Sequence, residues 1–189
     1  MQKFLPNLGF SMVELLVVVV IMGILGTITF SSFSSFGEDQ KTKAGTAGVQ
    51  SLLKTAQANA SSGISCPPGS ANFGANWWVE FQTDRQNALL KCQVGSGTIQ
   101  TVTTYLLTQT VQIDSIIGGS SCNSSIISGS ATSVVKAIFN SVTATITFQD
   151  GGGVVCIPNS QYLTVSFKNT RIGDTRLVKI DKGGSISAQ

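Results

Sequence analysis

Apolar positions along this chain change their rhythm twice. From Leu15 to Gly37 the run LLVVVVIMGILGTITFSSFSSFG carries no charge, and the only ionisable side chain between Phe10 and Gly37 is Glu14. Coiled at 1.5 Å per residue, such a run reaches across a hydrocarbon core of roughly 30 Å, so 10–37 is expected to form a hydrophobic transmembrane helix. Val49, Leu52, Leu53, Ala56 and Ala60 then recur at helical spacing, with Gln50, Lys54 and Gln57 between them. That spacing predicts an amphipathic continuation of the helix over 38–60, with one apolar stripe. Gly45 and Gly48 within it either weaken the helix or let a neighbour pack closely. Ser61, Ser62 and Gly63, followed by Pro67, Pro68 and Gly69, end it.

From Asn76 onward the period is two. The clearest predicted strand is Val142 to Phe148, with Val142, Ala144, Ile146 and Phe148 on one side and threonines on the other. Leu163, Val165 and Phe167 repeat the alternation, as do Val178 and Ile180 against Leu177, Lys179 and Asp181. Weaker strands are expected at 77–82, 88–94, 98–106, 110–116, 134–139 and 154–157, whereas 117–133 reads as a long surface excursion. Short strands separated by Gly, Asn, Asp and Ser turns imply an antiparallel sheet. Adjacent Trp77 and Trp78 on a strand must face opposite ways, so one belongs to the core and the other lies exposed or covered. The expected class is α+β: a long N-terminal helix packed on a globular antiparallel β-domain spanning 61–189.

Composition narrows the function. The chain of 189 residues is 42% hydrophobic and 11% charged, against about 25% charged in ordinary soluble domains; its polar positions are mostly Ser and Thr. There is no His, which removes the commonest general base and transition-metal ligand. Asp84, Asp114 and Asp150 are too scattered for a carboxylate pair, and Gly151 to Gly153 has no following helix with a Lys, as a phosphate loop needs. No catalytic arrangement, cofactor or metal is expected, and the chain is not read as an enzyme. A net charge of +3 is too weak to suggest nucleic acid by itself.

The start of the apolar run is more specific. A carboxylate at the edge of a bilayer core costs about 2.5 kcal/mol or more unless it finds a partner, so Glu14 in that place points to a function. A short leader with one cation, Lys3, then Gly9, Phe10, Glu14 and an unbroken apolar helix resembles the class III signal of type IV pilins and type II secretion pseudopilins. The resemblance implies a leader at 1–9, cleavage by prepilin peptidase between Gly9 and Phe10, and N-methylation of Phe10. It also implies that Glu14 pairs with the Phe10 amine of a neighbouring subunit. Pairing two charges that are each costly in lipid offsets much of both penalties and fixes register. Many pilins have a Pro about twenty residues into the mature helix; here FSSFSSF stands in its place.

The family reading implies a structural subunit, whether pilin, minor pilin or pseudopilin. It would sit first in the inner membrane with its globular domain outside the cytoplasm, then in a pilus or periplasmic pseudopilus with other subunits. Within the family, the amphipathic helix, NWWVEFQTD and the basic C-terminal hairpin look most like pseudopilin H and the DNA-uptake minor pilins. The hairpin carries Lys168, Arg171, Arg176, Lys179 and Lys182 against Asp174 and Asp181, a stripe that could contact DNA phosphates. The Gly-Arg pair of the DNA-binding subgroup is replaced here by Gly183-Gly184, and a solvated hairpin is the plainer reading. A third reading is a membrane-tethered β-domain with no role in assembly. Cys66, Cys92, Cys122 and Cys156 lack the close-spaced pair usual for zinc, and outside the cytoplasm they are expected to form disulfides. Spacing leaves three pairings open, with Cys66 to Cys92 and Cys122 to Cys156 taken as a working guess.

Overall fold

A computed structural model describes residues 11–70, 74–81, 86–117, 124–125, 134–143, 145–150, 152–153, 155 and 161–189, with backbone alone at 28–34 and 124–125. Gly9, Phe10, Cys122 and Cys156 lie outside the described residues. Two compact units are present, Met1–Gly37 and Glu38–Gln189, and the helix α1 (Met12–Ser61) contributes to both.

In the first unit the side chains from Met12 to Leu25 are solvent-exposed and almost all apolar. Among the described residues no helix is long and apolar enough to cross a membrane; the side chains described in the apolar part run from 12 to 27.

In the second unit α1 is held by burial of one stripe. Val49, Leu52, Leu53, Ala56 and Ala60 all belong to the core, as their spacing predicts, and each large side chain so buried contributes about 1.5 to 3 kcal/mol. Gly48 sits where the Tyr105 ring lies on the helix, and a Cβ there would overlap the phenol. The glycine therefore serves close packing, and the Tyr105 hydroxyl donates to the Ala44 carbonyl at 3.2 Å. The helix ends in a Schellman arrangement. The Ile64 N–H returns to the Asn59 carbonyl and the Gly63 N–H to Ala60, with Gly63 at a φ of 64° that suits a residue without Cβ.

The β-domain holds two five-stranded antiparallel sheets rather than the single sheet expected. The first has the order β3-β2-β1-β6-β7, built from β1 (Asn76–Phe81), β2 (Asn87–Gln93), β3 (Gln100–Leu106), β6 (Val135–Phe139) and β7 (Ile146–Asp150). The second, β10-β9-β8-β4-β5, is built from β4 (Val111–Ile117), β5 (Ser124–Ser125), β8 (Tyr162–Asn169), β9 (Thr175–Asp181) and β10 (Ile186–Ala188). Inner residues of both sheets, Trp77, Phe81 and Phe148 from one and Ile113, Phe167 and Ile180 from the other, share one core with α1. Glutamines on the helix tie down the last hairpin: Gln50 Nε2 donates to the Ile186 carbonyl and Gln57 Nε2 to Gly184.

Two expectations need correction. Val142 does not begin a strand: the Asn140 carboxamide oxygen accepts the N–H groups of Val142 and Thr143, closing a turn that leaves Val142 84% exposed. An Asx turn of this kind outcompetes strand pairing, so β7 starts at Ile146. The stretch 117–133 contributes to the second sheet at Ile117, in β4, and at β5. The tryptophans do face opposite ways: Trp77 is in the core, and Trp78 is 5% exposed on the outer face of the first sheet.

Candidate functional site

The helix start carries a motif not read from the sequence. The Ser11 hydroxyl accepts the Val13 N–H at 3.3 Å, while a Glu14 carboxylate oxygen accepts the Ser11 N–H at 3.2 Å. This is a capping box, in which the first residue and the one three further on each satisfy a backbone donor that the helix leaves unpaired. Its signal was present as Ser11-Met12-Val13-Glu14. Glu14 thus stands at the positive end of the helix dipole, where a carboxylate is favoured, and it opens a stretch of exposed Val, Leu, Ile and Met side chains.

A second charged cluster opens the second unit. Glu38 is buried to 3% exposure and meets the Lys41 ammonium at 2.7 Å and the Arg171 guanidinium at 3.4 Å. Asn169, fully buried at the end of β8, donates from Nδ2 to the Glu38 carboxylate at 3.2 Å, to the Glu38 carbonyl at 3.1 Å and to the Thr42 hydroxyl at 3.2 Å. Its oxygen accepts the Arg171 and Ile172 N–H groups and shapes the β8–β9 turn. One residue thus bonds helix and hairpin together. The Lys41 ammonium, foremost, with the Asn169 amide, holds the Glu38 carboxyl well below its usual range, at about 2, against the cost of its burial.

One residue on, Asp39 pairs with Lys43 at 2.7 Å and with Arg176 at 2.9 Å. Lys43, then Arg176, hold the Asp39 carboxyl below its usual value. Arg176 also meets Asp174 at 3.3 Å, and the two carboxylates raise its pKa, Asp39 first. Two neighbouring carboxylates of α1 are therefore each bridged to an arginine of the β8–β9 hairpin.

That bridging divides the basic stripe. In β8 and β9 alternate residues face opposite ways. Asn169 and Arg176 lie toward the helix, while Lys168 and Lys179 are exposed on the other face. Lys179 Nζ lies 4.3 Å from the centre of the Tyr162 ring. The four candidate phosphate contacts are thus not presented together.

The disulfide Cys66–Cys92 links the segment after α1 to β2, closing 26 residues. Trp77 Nε1 donates to the Ile64 carbonyl beside it. Among the described residues no group of His, Cys, Asp and Glu could hold a metal ion.

A family model for the prokaryotic N-terminal methylation motif matches residues 6–30, the segment that contains Ser11, Glu14 and the apolar start of α1. No curated protein and no solved structure matches the chain. Residues 6–30 therefore bear the signal of type IV pilin-like proteins, processed by prepilin peptidase, on an α+β chain whose helix continues into a two-sheet β-domain.

Proposed function

We propose that the chain is a non-enzymatic structural subunit of a type IV pilus or type II secretion pseudopilus. Prepilin peptidase would cut between Gly9 and Phe10 and methylate the Phe10 amine, and α1 would anchor the subunit in the inner membrane before it joins other subunits. The observation that carries this reading is the methylation motif at 6–30, with its lone carboxylate at the head of an exposed apolar helix.

The capping geometry suggests how Glu14 would work. In the lone chain its carboxylate accepts one long backbone hydrogen bond, from Ser11. A neighbour's Phe10 ammonium would add a full opposite charge to the hydrogen bond, in a medium that penalises either charge alone. Exchange of the weaker partner for the stronger one would favour docking in register.

Intact mass and N-terminal sequencing of the protein recovered from its native host test the proposal. A chain starting at N-methylated Phe10 is expected. A chain still starting at Met1, or cut beyond the apolar run, would overturn it. A tethered β-domain with no assembly role is distinguished by Glu14→Ala, which that reading leaves without effect and this one predicts to abolish incorporation into filaments.

A further inference from the structure

The outer face of the first sheet holds a depression of about 310 Å³, within the size range of small-ligand sites. Strand register builds it. Trp78 lies opposite Lys91 and Ile138, Asn76 opposite Gln93, Ile138 opposite Thr147 and Lys136 opposite Gln149, so these side chains share one face across four strands. The lining is rich in carboxamides, from Asn76, Gln93, Asn140 and Gln149.

Part of that polar chemistry is already satisfied. Gln93 donates to the Gly97 carbonyl, and the Asn140 oxygen closes its own turn. Asn76, Thr147, Gln149 and Lys136 make no side-chain hydrogen bond or ion pair among the described residues. Below them the Trp78 Nε1–H is buried and has no acceptor, an arrangement that native structures seldom leave unexplained.

The geometry points to a saccharide-binding site on this face, with Asn76, Gln149, Thr147 and Trp78 as its polar contacts and Lys136 favouring an acidic sugar. A carboxamide presents donors and an acceptor together, which matches a hydroxyl that is both. Asn76 and Gln93, cross-strand neighbours on a rigid sheet, therefore suit adjacent hydroxyls better than they suit an anion, which needs donors only. Gln149, beside Lys136 and level with Glu80, would meet another ring of the same oligosaccharide. Ile138 and Ile99 supply apolar surface for the C–H face of a sugar ring. Lys136, the single cation among the described lining residues, adds a partner for a uronate carboxylate. A ligand oxygen reaches the Trp78 N–H only when a lining side chain swings aside, and Gln149 and Lys136 can do so without breaking a hydrogen bond.

The test uses the full chain in detergent micelles, independent of whether it assembles. The sequence has two tryptophans, so a ¹H–¹⁵N spectrum gives two indole signals, assigned with Trp78→Phe. The probes are maltotriose, cellotriose, chitotriose and trigalacturonate. The Trp78 signal is expected to move saturably with at least one, at about millimolar half-saturation. The Trp77 signal, whose N–H is given to Ile64, should stay. Asn76→Ala and Gln149→Ala, both on the solvent side of the sheet, should each weaken that response about tenfold, and Lys136→Ala should weaken it for trigalacturonate alone. No movement with any probe up to about 20 mM, or a movement that Asn76→Ala and Gln149→Ala leave intact, overturns the inference.

Discussion

The Asn169 carboxamide meets the Glu38 carboxylate at 3.2 Å, joining the end of β8 to the helical turn that opens the second unit. The same Nδ2 also serves the Glu38 carbonyl and the Thr42 hydroxyl, and the oxygen serves two turn amides. Asn169→Ala leaves these groups without that partner in a buried place, which costs about 2 to 4 kcal/mol. Urea unfolding of the full chain should show this as a lower midpoint with an unchanged slope. Asn169→Asp keeps the turn acceptor but sets a second carboxylate against Glu38. It should destabilise at pH 7 and recover part of the loss in acid; an Asp variant as stable as wild type at pH 7 would contradict the contact.

Glu38 also dictates an acid response. Its pKa is lowered from 4.5 to about 2, chiefly by Lys41, so the folded state binds the proton less readily than the unfolded chain. The stability it contributes is complete above about pH 4.5 and is lost as pH falls toward 2. Asp39, lowered by Lys43 and Arg176, acts in the same direction below 3.8. Melting temperatures measured across this window should fall steeply for wild type. Glu38→Gln should start lower at pH 7 and fall less; parallel curves for the two proteins would remove Glu38 from the acid response.

Gly48→Ala is a sharper test of packing than of helix propensity. Alanine in a helix interior gains up to about 1 kcal/mol over glycine. Here the added methyl meets the Tyr105 ring, a stiff group whose hydroxyl is bonded to Ala44. Overpacking of this kind costs about 1 to 3 kcal/mol, so the net effect should be a lower melting temperature. Combining it with Tyr105→Ala, which empties the space, should turn the alanine neutral or stabilising.

The elements that sequence reading found were those with long or strict periodicity. The apolar stripe Val49, Leu52, Leu53, Ala56 and the alternation Leu163, Val165, Phe167 are all in the core, because burial of one face is what imposes those periods. Val142 misled because its alternation is real, yet a side-chain turn at Asn140 competes locally for the backbone. The division into two sheets was not legible, since strand order depends on pairings far apart in sequence. At the start of α1, Glu14 stood out as the lone carboxylate before the apolar run, whereas the Ser11 cap went unread although its four-residue signature was plain. The latch at Glu38 was invisible for a different reason: its partners Asn169 and Arg171 are more than 130 residues away.

The latch also decides how a DNA-binding hairpin can be examined. Arg171 and Arg176 face Glu38, Asp39 and Asp174, so reversing either to Glu places like charges together and should destabilise the domain whether or not DNA is a ligand. Lys168 and Lys179 stand on the other face, exposed. Lys168→Glu with Lys179→Glu should change stability by no more than about 1 kcal/mol, most of it from the Lys179 contact with Tyr162. Two lysines can release about two counterions' worth of salt dependence, a slope near −1.8 in log affinity against log salt. That is far short of duplex retention at physiological ionic strength, and none is expected in filter binding at about 150 mM salt. A measured slope steeper than −3 would mean that the arginines leave their carboxylates to meet phosphate, and the latch would then be a switch rather than a fixed joint.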